Sequence, residues 1–318
     1  MSDYHTKKTL RMATAKCKKA NCAWRRKVMK YVRQLRGKLA KKDWKRLGGL
    51  LGLRAYKGPI RASDLAATKA FGLVCIDVVH SHWLAVKSLQ WVHITLLADE
   101  FHVSERLPAL ALKRLKGKAY KEIQDLGLDA LIWIDVDPLP NHPQQGKGGT
   151  FLFHVHVLGF ADKGFDVDAA RAKLKKSRSW SCSLGGDPTT LVEISRTMGT
   201  AAWWAQYGSK PPHKAKNRVA PLDGPVKLWW TTKGYRPQIA MRLTEGLSQI
   251  AIMDTLSGVG EGKDLREDIR RRLMKWHRGR WPDQKPVSDF NVRAFFRRAW
   301  RVTRVLGYKC WRIVGSSV

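Results

Sequence analysis

The sequence predicts a mixed fold, α/β or α+β, on three observations. Between residues 90 and 232, short runs rich in Val, Ile, Phe and Trp alternate with segments whose apolar residues recur at three- and four-residue steps. Apolar residues make up 44% of the 318 and include 14 Trp, which excludes global disorder. No apolar run reaches the ~18 residues of a membrane span. The N-terminal MSDYHTKKTLRMATAKCKK also lacks the apolar core of a secretory signal.

The elements follow in order. Residues 14–47 read as a helix, with Trp24, Val28, Tyr31, Val32 and Leu35 spaced among Lys and Arg, and Gly48-Gly49 breaks it. Residues 71–79 (FGLVCIDVV) read as a strand or a buried segment. Residues 90–97 read as a strand, 106–125 as a helix and 129–137 (DALIWIDVD) as a strand ended by Pro138 and Pro140. PLPNHPQQGKGG is a loop by composition. Residues 150–160 (TFLFHVHVLGF) are the longest strand-like run. A helix capped by Asp166 follows over 166–178, then a strand over 189–195, a short helix over 197–208 and a strand over 225–232. Residues 262–281 and 288–306 read as helices, the second capped by Ser288. This pair is either a DNA-binding appendage or the helices that complete the core.

Charge adds a second layer. The chain carries a formal +34, with pI near 10.4, which points to a polyanionic partner. Residues 1–61 hold 20 Lys and Arg against Asp3 and Asp43, and residues 261–318 hold 16 against six acids. The middle is nearly neutral by comparison. The chain therefore divides into a basic helical N-terminal extension (1–61), a central domain (62–240) and a basic helical C-terminal DNA-binding region (241–318). Arg271 and Arg297 are DNA-contact candidates there. The five cysteines form no CxxC pair, so neither a disulfide framework nor a Cys-rich zinc site is expected, and a reduced cytoplasmic setting fits best.

The chemistry centres on Phe153-His154-Val155-His156-Val157. In a strand, residues two apart share a face, so His154 and His156 project together and can hold one divalent metal. Asp135 and Asp137, on the preceding strand, also share a face, and either can supply the third ligand. Two His and a carboxylate leave open positions suited to a phosphate oxygen. Tyr207 and Lys210 stand as Tyr-Gly-Ser-Lys near a helix end. A tyrosine becomes a competent nucleophile when its electrophile is polarised and a cation favours the phenolate. His93 lines the site or packs. Glu193 activates a water or forms a salt bridge, and His142 lies in the preceding loop. Trp203, Trp204, Trp229 and Trp230 either stack on unpaired bases or fill the core. His80-Ser81-His82 is a second such pair with no tyrosine motif after it, and reads as a decoy. Gly146, Gly148 and Gly149 precede no GKS/T, so ATPase activity is not supported.

On these residues the chain resembles the HUH superfamily of single-strand DNA endonucleases. More narrowly, it resembles the rolling-circle replication initiator (Rep) proteins of bacterial plasmids and phages. WVHITLLADE, around Thr95, matches their first motif loosely. FHVHVLGF matches the histidine pair closely, and Tyr207 to Lys210 matches the Tyr-x-x-Lys motif. Asp135 falls where many Reps carry a glutamate; the shorter arm keeps Asp137 in play. The resemblance covers about residues 88–235. It implies an α+β domain whose RRM-like palm is an antiparallel sheet of about five strands with packed helices. It also implies Mg²⁺ or Mn²⁺ on His154, His156 and Asp135, and a 5′-phosphotyrosine on Tyr207 with Lys210 assisting. The partners implied are origin DNA, as a single-stranded loop with flanking duplex, and the host helicase and polymerase; no membrane is involved. Trp203 stands where a second tyrosine would be, implying a single-tyrosine enzyme. A transposase or relaxase would share this chemistry, although relaxases place the tyrosine before the histidines. A non-catalytic nucleic-acid-binding protein would use the same histidines structurally. A hydrolase of small phosphoesters would leave the charge unexplained.

Overall fold

The computed structural model describes residues 3–105, 109–140, 149–184, 187–194, 201–219, 227–230, 237–302 and 312–313. Three helices come first: α1 (Asp3–Gln34), α2 (Lys41–Leu50) and α3 (Leu65–Ala85). Then follow β1 (Gln90–Ser104), β2 (Ala109–Leu110), α4 (Leu112–Asp125), β3 (Asp129–Leu139) and β4 (Thr150–Ala161). Next are α5 (Val167–Lys176), β5 (Thr189–Glu193), α6 (Ala201–Gly208), β6 (Lys216–Val219) and β7 (Lys227–Trp230). The chain continues through α7 (Pro237–Leu247), β8 (Leu256–Val259), α8 (Gly262–Arg278), α9 (Val292–Val302) and β9 (Arg312–Ile313).

The architecture is α+β. Five strands form one antiparallel sheet in the order β5-β1-β4-β3-β8, with the described helices packed around it. β4 lies in the middle and is buried from Thr150 to Phe160, so it reads as a continuous apolar run rather than an alternating one. On one face, His82 of α3 packs against Trp91 and Phe160, and Gly208 of α6 abuts the Trp133 ring. α4 packs against β3 and β8, and α5 against β5. One apolar cluster runs from Trp24 in α1 through the sheet to Trp300 in α9. No helix among the described residues is long and apolar enough to cross a membrane.

Several elements differ from the sequence reading. Residues 71–79 lie inside α3, a helix started by Asp64, whose carboxylate accepts from the backbone N–H groups of Ala66 (3.0 Å) and Ala67 (2.8 Å). α3 is packed by α1, α6 and α8, so its apolar residues have no single stripe. The helix read over 14–47 is two helices, parted by a turn at Gly37 with φ +75°. Gly48 and Gly49 lie inside α2. A side chain at Gly48 would meet the Arg54 stem at 3.3 Å, and one at Gly49 would meet the Tyr56 ring at 3.3 Å. Of the strand read over 225–232, the described residues 227–230 form β7, which pairs with β6 in a separate ribbon. The fifth strand of the sheet is β8, from the stretch assigned by sequence to the C-terminal region 241–318. Helix α9 starts at Val292, capped by Asn291 rather than Ser288: Asn291 Oδ1 accepts from Ala294 N at 2.9 Å. Residues 106–108 and 197–200, read as helix, lie outside the described residues.

Candidate metal and tyrosine site

Strand register assembles the site. His154 pairs with Asp135 of β3 and Leu97 of β1, and His156 pairs with Trp133 and Thr95. Paired residues share a face, as do residues two apart, so His93, Thr95, Asp135, Asp137, His154 and His156 all face α3 and α6. His154 Nε2 and His156 Nε2 lie 3.0 Å apart. Asp135 Oδ2 is 3.7 Å from the first and 3.5 Å from the second, and Asp137 Oδ2 is 3.7 Å from His154 Nε2. His154 Nδ1 lies 3.1 Å from the Leu152 carbonyl and His156 Nδ1 3.3 Å from Thr95 Oγ1, contacts that orient both rings. One ligand atom each from Asp135, His154 and His156 falls within 4.8 Å of the others, in a buried position. Two imidazole nitrogens and a carboxylate oxygen converging in this way are a donor set that fits a divalent cation.

Helix α6 brings the tyrosine to this triad. Ala201, Ala202 and Ala205 are buried, and Gly208 lets the helix end lie on Trp133: a side chain there would come within 2.9 Å of that ring. Tyr207 stands edge-on to His156, ring centroids 4.7 Å apart. The Lys210 ammonium sits 4.2 Å from the Tyr207 ring centroid, donates to the Tyr207 carbonyl at 3.2 Å and pairs with Asp135 Oδ2. Lys216, at the start of β6, pairs with Asp137 Oδ2 at 2.7 Å. The sequence reading missed Lys216, and no short-range pattern marks it: its partner lies 79 residues earlier, before β4, α5, β5 and α6.

The charges are mutually dependent. Burial works to raise the Asp135 and Asp137 carboxyls, but Lys210 beside the first and Lys216 beside the second outweigh it and hold both below the ordinary range. Burial works to lower Lys210 and Lys216, and the same carboxylates hold both above the usual lysine value. Burial lowers His154 against the pull of both aspartates. Burial, with Lys210 and His154 adding to it, pushes His156 well below its usual range. Both imidazoles are therefore neutral at physiological pH, the form in which they ligate metals. Burial, helped by Lys210, pushes His93 down to about 3. Its ring is stacked on Trp204 at 4.1 Å and lies 5.8 Å from Tyr207, so it lines the site as a neutral wall.

The remaining sequence candidates fall elsewhere. Glu193 pairs with Val92, which puts it on the opposite face from His156, and it accepts from Gln90 at the sheet edge. His80 and His82 sit on α3, where residues two apart diverge by about 200°. Trp203 carries Lys16 of α1 over its ring at 3.7 Å. Trp229 and Trp230 lie on β7. Arg271 and Arg297 are exposed on α8 and α9, and Arg271 pairs with Asp268 at 2.6 Å. His142, Gly146 and Gly148 lie outside the described residues. No family model, curated protein or solved structure matches the chain.

Proposed function

We propose that this chain is a metal-dependent tyrosine endonuclease that nicks single-stranded DNA, of the HUH type, acting as a rolling-circle replication initiator. The observation that carries this reading is the convergence of the His154/His156 strand, Asp135 and the Tyr207–Lys210 turn. Lys210 reaches Asp135 across 75 residues of sequence. His154, His156 and Asp135 would hold Mg²⁺ or Mn²⁺, and when bound the ion draws charge from the scissile phosphate. Tyr207 presents its hydroxyl to the phosphorus. A bond forms between its oxygen and the phosphorus, and the bond from phosphorus to the 3′ oxygen breaks. The hydroxyl proton passes to that departing oxygen, so a 5′-phosphotyrosine and a free 3′-OH result. Lys210 would stabilise charge on the phosphate, and Asp135 holds that ammonium in place. Thr95 and the Leu152 carbonyl keep the two imidazoles aimed inward. The basic ends would grip flanking duplex, and the free 3′-OH would serve the host polymerase behind a host helicase.

A second reading keeps the same residues as a structural charge network. The pairs Lys210–Asp135 and Lys216–Asp137 favour it, because they already balance both buried carboxylates. The two readings separate in a covalent-adduct assay. Protein is incubated with labelled single-stranded DNA pools from its replicon, with Mn²⁺ or with EDTA, beside Tyr207→Phe. A metal-dependent adduct absent from the variant supports the endonuclease. Tight binding to the same DNA without an adduct under any condition selects the structural network.

A further inference from the structure

A second concave surface carries charge that the metal and tyrosine site does not use. An open cleft of about 280 Å³ lies between α2 and the segment that follows α8. Lys42, Lys45, Arg46, Arg54 and Lys285 line it, and no carboxylate does. These five cations come from three separate stretches of chain. Lys42, Lys45 and Arg46 lie at three- and four-residue steps on α2 and so share one helical face. Arg54 follows α2, its stem laid over Gly48. Lys285 is held opposite, because Val287 N donates to the Ala55 carbonyl and Lys57 N to the Val287 carbonyl, both at 2.8 Å. Among the described residues, Lys42, Lys45, Arg54 and Lys285 have no ion-pair partner, while Arg46 pairs with Asp43 at 3.1 Å. Fixed like charges converging on one concavity repel one another, and a polyanion entering it relieves that cost.

We propose that this cleft is a phosphate-backbone site for duplex DNA, separate from the metal and tyrosine site. The assignment rests on the function proposed above only for its choice of DNA as the polyanion. The cleft would take consecutive phosphates of the duplex flanking the single-stranded substrate, and its contacts would be independent of base sequence.

The test uses the full chain with Lys42→Gln, Lys45→Gln, Arg54→Gln and Lys285→Gln combined. All four side chains are exposed, and thermal melting checks that the variant folds like the parent. Binding of a short blunt duplex is followed against salt in EDTA, so neither metal nor Tyr207 takes part. Loss of four phosphate contacts makes the slope of log K on log salt shallower by about 3.6. ATP is titrated in parallel as a free polyphosphate probe. An unchanged duplex slope overturns the assignment, and if ATP binding alone is lost, the cleft is instead a free polyphosphate site. The adduct assay on single-stranded DNA is run beside it with the parent. Failure of that assay in the parent itself would count against the endonuclease reading and leave the cleft result standing.

Discussion

At the residue scale, the site depends on one missing side chain and one buried carboxylate. Gly208 abuts the Trp133 ring so closely that a methyl group there would lie 2.9 Å from ring carbons. Trp133 is fully buried and cannot swing away, so in Gly208→Ala the helix end carrying Tyr207 must lift. The expected outcome is about 1–3 kcal/mol of lost stability in urea melts. A loss of adduct yield should accompany it, because Tyr207 moves off His156. Asp135 anchors the opposite side. In Asp135→Asn the Lys210 ammonium stays buried without its counter-charge, a loss that typically costs about 3–5 kcal/mol. Urea midpoints in EDTA should show that loss independently of metal. Mn²⁺ titration should show weakened binding in the same variant.

At the element scale, Asp43 ties two helices together, pairing with Arg46 of its own helix and with Arg298 of α9 at 3.0 Å. Partial burial works to raise its carboxyl, but the two guanidinium groups outweigh this and hold it below 3.8. A depressed carboxyl stabilises the fold above its unfolded value, and the contribution fades as pH falls through the folded value. Asp43→Asn should therefore cost up to about 1 kcal/mol near neutrality. Parent and variant melting curves should converge in strong acid, where the parent's carboxylate is protonated too. The same scale explains what was legible in the chain. The strands of the site were readable because β3, β4 and the first half of β1 are apolar runs and because the His154/His156 spacing has the period of a strand, whereas the extension of β1 to Ser104, past a register shift after Leu97, was not. The Asp166 cap was readable because its carboxylate accepts from Ala169 N, a local bond. α3 was not readable, since its solvent-facing line is thin, Lys69, Asp77 and Ser81 with the apolar Leu73 among them, and Val, Ile and Phe on its other sides mask the helical period. Its length and the Asp64 cap were the signals available. β8 was too short to announce itself, and it completes the sheet only through pairing with β3. Lys216 could not be connected with Asp137 before the topology was known.

At the scale of the whole molecule, charge and packing oppose each other. A formal +34 repels itself in the folded chain, so added salt should raise the melting temperature of the free protein and, on the function proposed above, weaken DNA binding. Paired melts and binding isotherms across a salt series check both signs. The basic N-terminal segment is nonetheless no loose tail. Trp24, Val28, Tyr31, Val32 and Leu35 are almost wholly buried in the same apolar cluster as the sheet. α1 packs on α3, α6 and α7, and its Lys16 lies over Trp203, one turn before Tyr207. A chain lacking residues 1–39 would uncover that cluster from one side. The outcome expected by near-ultraviolet circular dichroism is loss of the single cooperative transition, with loss of adduct formation although every residue of the metal and tyrosine site is retained. Trp24→Ala, which leaves the helix in place, should cost about 3–5 kcal/mol. A truncated chain that still melts cooperatively near the parental temperature would make α1 an appended arm. Loss of the transition would make it a wall of the fold on which the tyrosine helix rests, so that the most basic part of the chain is built into the folded unit.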